Sequence, residues 1–239
     1  MIRAMRFSSR TVGLASAVIT VLIWTGFIVI ARASASRGLL PLDIALARIL
    51  GASAVLLPWA WWLMRPARQR GEKTGSLLGL SPLPWGQTVR AGFFGGLLYA
   101  VLAYSGFFFA PAAHASVLLP GSLPLWTTLL AWLVLREKVS SGRALGLGFI
   151  VLGDLLVGGL SLLKAFEGGD VWKGDLLFMC AACSWAAYSV TVRRFGLDAV
   201  RATMAITAFA FVFFVPAYAL LTITAVSYTH LRAHETLMN

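Results

Sequence analysis

The chain has 239 residues, of which 59% are hydrophobic and only 12% charged, with a formal net charge of +11. A soluble domain carries about 25% charged residues, so this composition excludes a soluble globular protein and describes a polytopic membrane protein with no large soluble domain between its spans. The basic residues fall in short clusters between apolar runs, which is how topology is encoded in membrane proteins and argues against nucleic acid as a partner.

Met1 to Arg10 carries Arg3, Arg6 and Arg10, and an apolar run follows from Val12 to Ala31. With the small residues of ARASAS after it, this beginning resembles a signal peptide. The run exceeds the roughly 7–15 residues of a signal core, and further spans follow, so it reads as span one. Ser16, Thr20 and Trp24 recur every four residues and form one mildly polar stripe. Span two runs from about Leu42 to Met64, with Arg48 about a third of the way in. A charge at that depth either faces the bundle interior and marks function, or snorkels to the nearer interface, or pairs with Asp43 a turn away. Pro66 to Thr88, with Arg65, Arg68, Arg70 and Lys73 around its start and SPLPWG later, reads as an irregular surface linker.

Span three runs from about Val89 to Ala110, with Gly92, Gly96, Tyr99 and Ala103 on one face. Gly92 and Gly96 form a GxxxG that admits close approach of another helix. Tyr99 and Tyr104 suit either a binding cavity or an interfacial belt. Span four, Ala112 to Leu135, is the stretch around which the chain is organised. Pro120 and Pro124 sit in its middle, and each removes the donor for the carbonyl four residues earlier, those of Ser116 and Pro120. In a bilayer such groups persist only where protein or a water-filled cavity covers them. The helix is therefore buried beside a cavity, or else simply kinked for packing. Arg136, Glu137 and Lys138 stop it. His114, near its start, is either a substrate or proton group or a solvated interfacial histidine.

Span five, about Gly142 to Leu163, carries Gly142, Gly146 and Gly153 on packing faces, and Asp154 near its centre. A lone carboxyl there is protonated or paired; it couples transport to protons or makes a neutral helix–helix contact. After the polar loop Lys164 to Lys173, span six runs from about Gly174 to Val192 and ends at Arg193 and Arg194. Cys180 and Cys183 form a CxxC without the βαβ surroundings of a redox pair, so they read as small packing residues. Ser184, Tyr188 and Thr191 share a face. Span seven runs from about Ala199 to Val226. The following SYTHLRAHETLMN has no membrane character and resembles a translated sequencing adapter, so Ser227 to Asn239 is expected to be non-native and the reading frame truncated. His230 and His234, at i and i+4 beside Glu235, are an incomplete metal site; no metal or cofactor is expected.

With the N-terminus inside, fourteen of the twenty Lys and Arg fall on inner segments and four on outer ones. This orientation satisfies the positive-inside rule and points to a cytoplasmic N-terminus. Trp24 to Arg32 reads WTGFIVIAR and Trp185 to Arg193 reads WAAYSVTVR, with the same Trp–Arg separation in both. Five spans lie between the two starts, so the second copy enters from the opposite side: an inverted repeat, as in many secondary transporters.

These features together resemble the drug/metabolite transporter superfamily, in particular its EamA-like branch. The resemblance rests on Tyr104, on Pro124 followed by Leu129-Leu130-Ala131, and on Glu137, Gly146 and Gly153. It continues with Gly174-Asp175, Trp185, Tyr188 and Arg193, and Arg48 is similar to the family's span-two arginine. It implies an all-α fold of ten helices in two inverted five-helix repeats, here present as residues 11–163 and a partial 174–226. It also implies alternating-access transport, often export, of small metabolites such as amino acids or toxic compounds. The chain departs from the family in its long linker, in Asp154 and in stopping after about seven spans.

The expected substrate-lining residues are Trp24, Arg48, Tyr99, Tyr104, Pro120, Pro124, Trp126, Trp185 and Tyr188. Asp154 and His114 are the candidates for proton coupling. The expected partners are the lipid bilayer, a small-molecule substrate and, through the glycine faces of spans three and five, a second copy of the chain. A scaffold or an inactive transporter fragment is the rival of a different class. A membrane-embedded transferase or hydrolase lacks the nucleophiles, acids and metal ligands grouped at one depth that it would need.

Overall fold

The computed structural model describes residues 9–71, 75–165 and 169–237, with side chains as far as Thr222. Arg3, Arg6 and Lys73, and the side chains of His230, His234 and Glu235, lie outside that description. The described residues contain seven long helices: α1 (Ser9–Ser36), α2 (Pro41–Gln69), α3 (Trp85–Phe109), α4 (Ala112–Leu135), α5 (Ser141–Ala165), α6 (Val171–Phe195) and α7 (Ala199–Leu237). Each is long and apolar enough to cross a membrane. A helix satisfies its own backbone polar groups, which is what a span in hydrocarbon must do. The protein is an all-α, polytopic integral membrane protein.

Helix ends follow local chemistry. Pro41 opens α2, and the Asp43 carboxylate accepts the Leu40 N–H at 3.2 Å. Gly196 closes α6 at φ +56°, and its N–H donates to the Arg193 carbonyl. α4 stops on Arg136, a non-glycine residue held in the left-handed region at φ +57°.

α6 is the central helix, packed against α3 and α4. α5 flanks α4 and α6, α7 covers α2 and α3, and α1 lies along α3 and α4. Small residues bring these axes together. A Cβ added at Gly174 would lie 2.5 Å from the Ala110 Cβ and 2.7 Å from the Ala110 nitrogen, so α6 touches the end of α3 backbone to backbone. A Cβ at Gly106 would meet the Phe178 ring at 2.5 Å. The outer faces of α1 and α5, with Val21, Leu22, Ile30, Leu145, Phe149 and Leu156 all exposed, are lipid-facing.

Three expectations need correction. The linker after α2 is not merely irregular surface. Ser81, Leu83 and Thr88 are buried, and Ser76 and Ser81 form an antiparallel bridge. The Thr88 hydroxyl is hydrogen-bonded to the hydroxyls of Ser81 at 2.7 Å and Ser76 at 2.9 Å, and donates to the Leu83 carbonyl at 3.0 Å. The short polar side chains satisfy a backbone that has no helix to use. Second, the GxxxG face of α3 is not free for assembly: α7 fills it, with Phe209 against Gly92 and Ile206 against Gly96. Third, α6 begins at Val171, so Asp175 sits a full turn inside a helix, buried. Within α3, Phe93–Leu98 is a π turn.

Candidate functional site

The two copies of the repeated string meet. Trp24 of α1 and Trp185 of α6 stand edge to face with ring centroids 6.4 Å apart. Trp185 is also 4.9 Å from the Tyr99 ring and 5.2 Å from the Tyr188 ring. Such aromatic pairs at offset or perpendicular angles hold one another in fixed orientations. Arg48 projects from α2 over this group, its guanidinium carbon 5.9 Å from the Phe27 ring and 5.9 Å from the Tyr99 ring. Ile23, Trp24, Phe27, Arg48, Tyr99 and Trp185 line a cleft of about 160 Å³. A smaller one of about 50 Å³ lies on the other side of Arg48, against Ile49, Gly96, Ala100 and Thr207. Tyr104 stands behind, its ring 5.8 Å from Phe27 and its hydroxyl within electrostatic reach of Arg48.

Two local devices position this cleft. The π turn in α3 places Gly95 and Gly96 beneath Tyr188 and Ile206, and Tyr99 follows it directly. A π turn disturbs the regular hydrogen-bond ladder; here the Ser184 hydroxyl of α6 donates to the Phe94 carbonyl at 2.7 Å. At α2, Asp43 does not serve Arg48. Its Oδ1 accepts the Tyr218 hydroxyl of α7 at 2.5 Å, and its Oδ2 accepts the Leu40 N–H. The Arg48 guanidinium meets the Phe27 and Tyr99 rings and the Tyr104 hydroxyl instead.

The remaining expected residues lie elsewhere. Pro120 and Pro124 are inside α4 and exposed, away from this cleft, and Trp126 has a buried indole N–H without an acceptor among the described residues. The proton candidates form a separate polar group between α4, α5 and α6. His114 is not simply solvated: its Nδ1 is 2.8 Å from Asp175 Oδ1 and its side chain is half-buried. Asp154 is buried, with Oδ1 3.3 Å from where a Cβ on Gly121 would stand. Gly121, between the two prolines, is the notch that admits this carboxyl. Asp154 and Asp175 both border an otherwise apolar cleft of about 120 Å³ that includes Leu118, Gly158 and Met179. No group of His, Cys, Asp and Glu suited to a metal ion occurs among the described residues.

Three contributors were not anticipated. Phe27 completes the aromatic wall, Ser184 seats α6 on α3, and Asp175 holds His114. Phe27 lies three residues after Trp24, within the repeated string itself, so helical periodicity had placed it on the same face.

The arginines that close the repeated strings occupy opposite ends of the bundle. Arg32 donates to the Phe107 carbonyl at 2.5 Å near the end of α3, whereas Arg193 pairs with Glu137 just beyond α4. The EamA-like transporter family matches residues 11–159, well over half of the chain and spanning α1 to the end of the α5 span. The chain belongs to the EamA-like transporter family. It is also 28% identical over 105 residues to the uncharacterized transporter YyaM of Bacillus subtilis (strain 168), a match that covers 42% of this chain and 34% of that protein. The chain thus matches only about a third of the length of that curated relative. No solved structure matches the chain.

Proposed function

We propose that this EamA-like protein carries a small organic solute across the cytoplasmic membrane by alternating access, with the solute held in the cleft around Arg48. One observation carries the reading. The guanidinium of a residue within a span lies against the rings of Phe27 on α1 and Tyr99 on α3, and both Trp residues of the repeated strings line the same cleft. An arginine within a span that is not committed to Asp43 suits an anionic group such as a carboxylate, which it grips in a planar, two-point fashion. The rings suit the apolar body of an amino acid or related metabolite. Tyr104 and Tyr188 brace the rings from behind. The prolines of α4 do not line the cleft.

In this reading the chain holds one five-helix repeat, 11–163, and the first part of a second, 174–226, and the N-terminus is cytoplasmic. Asp154 and His114 are the proton-coupling candidates, set apart from the solute. Vesicles carrying the chain test the proposal with radiolabelled amino acids. Arg48→Ala is expected to abolish saturable uptake, and unchanged uptake at every concentration would overturn the assignment of Arg48. A scaffold role for this chain predicts no flux in the same vesicles.

A further inference from the structure

A fourth and larger cleft lies at the end of the bundle where α3 begins and where α4 and α6 finish. It has a volume of about 290 Å³, and Arg90 and Arg194 are its two charged lining residues. Arg90 comes from the first turns of α3 and Arg194 from the last turn of α6. Both guanidiniums converge on one ring: Arg90 lies 5.3 Å and Arg194 5.8 Å from the Phe195 centroid. No carboxylate is among the lining residues described. Glu137, at the same end, is paired with Arg193, and Asp198 accepts the Arg201 backbone N–H at 3.0 Å. The rest of the wall is apolar and partly lipid-facing, with Val134 and Phe195 exposed and Phe94 and Leu130 half-buried behind them. The Thr191 hydroxyl on the wall is turned back to its own helix, donating to the Ala187 carbonyl at 2.8 Å.

Two like charges held around one ring, with no acid in the cleft to balance them, call for an anion. The position at a helix-bundle end, with an apolar wall continuing toward the hydrocarbon, fits an anion that carries an acyl chain. We propose that this cleft binds the phosphate of an anionic phospholipid between Arg90 and Arg194, with an acyl chain laid along Val134 and Leu130. The site is separate from the Arg48 cleft and does not depend on the solute assigned there. Lipid bound here would tie α3, α4 and α6 together at this end, beside the Glu137–Arg193 pair.

The test is lipid binding by native mass spectrometry, paired with thermal unfolding, on the purified full chain. The lipids are phosphatidylglycerol and phosphatidylcholine, with inorganic phosphate as a third probe. Phosphatidylglycerol is expected to remain bound and to raise the melting temperature, and phosphatidylcholine to do neither. Arg90→Gln with Arg194→Gln is expected to weaken phosphatidylglycerol binding by about tenfold or more, since charge-assisted hydrogen bonds to the phosphate are lost. Arg143→Gln, an exposed cation on α5 outside this cleft, serves as the charge control and is expected to leave binding unchanged. Equal binding of both lipids, an equal loss with Arg143→Gln, or equal stabilisation by inorganic phosphate would overturn the proposal.

Discussion

Gly174→Ala should loosen the bundle where the start of α6 meets the end of α3. The added Cβ would sit 2.5 Å from the Ala110 Cβ, 2.7 Å from the Ala110 nitrogen and 2.8 Å from the Gly106 carbonyl oxygen. Carbon atoms in good contact are about 3.5–4.0 Å apart, so α3 and α6 would have to part by about 1 Å. Two of the three obstructing atoms are backbone, and no side-chain rotation relieves them. Overpacking of this kind costs about 1–3 kcal/mol, against which the better helix propensity of alanine returns at most about 1 kcal/mol. The net loss is about 1–2 kcal/mol, and at about 2–4 °C per kcal/mol for a chain of this size the melting temperature should fall by several degrees. Thermal unfolding of the detergent-solubilised protein, followed by size-exclusion chromatography, measures this. Gly146→Ala is the matched control, because nothing lies within 4 Å of its added Cβ, and it should unfold at or slightly above the wild-type temperature. A Gly174→Ala protein that melts no lower than Gly146→Ala would refute the close α3–α6 contact.

Other substitutions test neighbouring parts of the account. Ser184→Ala leaves the Phe94 carbonyl of the π turn without its 2.7 Å donor; it should destabilise the protein by about 1–3 kcal/mol in the same unfolding assay. Glu137→Gln should barely change stability, by about 0–1 kcal/mol, because the Arg193–Glu137 pair is half-exposed. Arg136→Gly should stabilise by up to about 1 kcal/mol, since it removes a Cβ from the left-handed end of α4. Arg48→Lys keeps the charge and loses the planar fork, so solute affinity should fall even though the net charge is unchanged; equilibrium binding of the transported amino acid checks it.

Apolar length and the charge clusters between runs made the seven spans legible, because a bilayer leaves little choice but the helix. Ala112 to Leu135 coincides with α4 residue for residue, bounded by Pro111 and by the Arg136–Lys138 triplet. The two strings share their Trp–Arg spacing in sequence, and their tryptophans, Trp24 and Trp185, meet in the fold. What could not be read was anything set by three-dimensional neighbours. The π turn meets Ser184, ninety residues away, whose hydroxyl donates to the Phe94 carbonyl. The buried knot of Ser76, Ser81 and Thr88 looked like ordinary linker composition, because hydrogen bonds among short hydroxyls leave no periodic trace. His114 reads in sequence either as a substrate or proton group or as a solvated interfacial residue, and only the packing of α4 on α6 places Asp175 2.8 Å from its Nδ1. Arg48 stood within a turn of Asp43 in sequence, yet Tyr218 on α7 takes that carboxylate.

Saturable flux through the Arg48 cleft is the central claim, and one comparison tests it most directly. Uptake of each of the common amino acids, radiolabelled, is measured in membrane vesicles containing the wild-type chain or Arg48→Ala, present at equal levels. The account predicts saturable uptake of at least one of them by the wild-type chain and its loss in Arg48→Ala. Uptake that is the same in both, or that is absent from the wild-type chain, would contradict it.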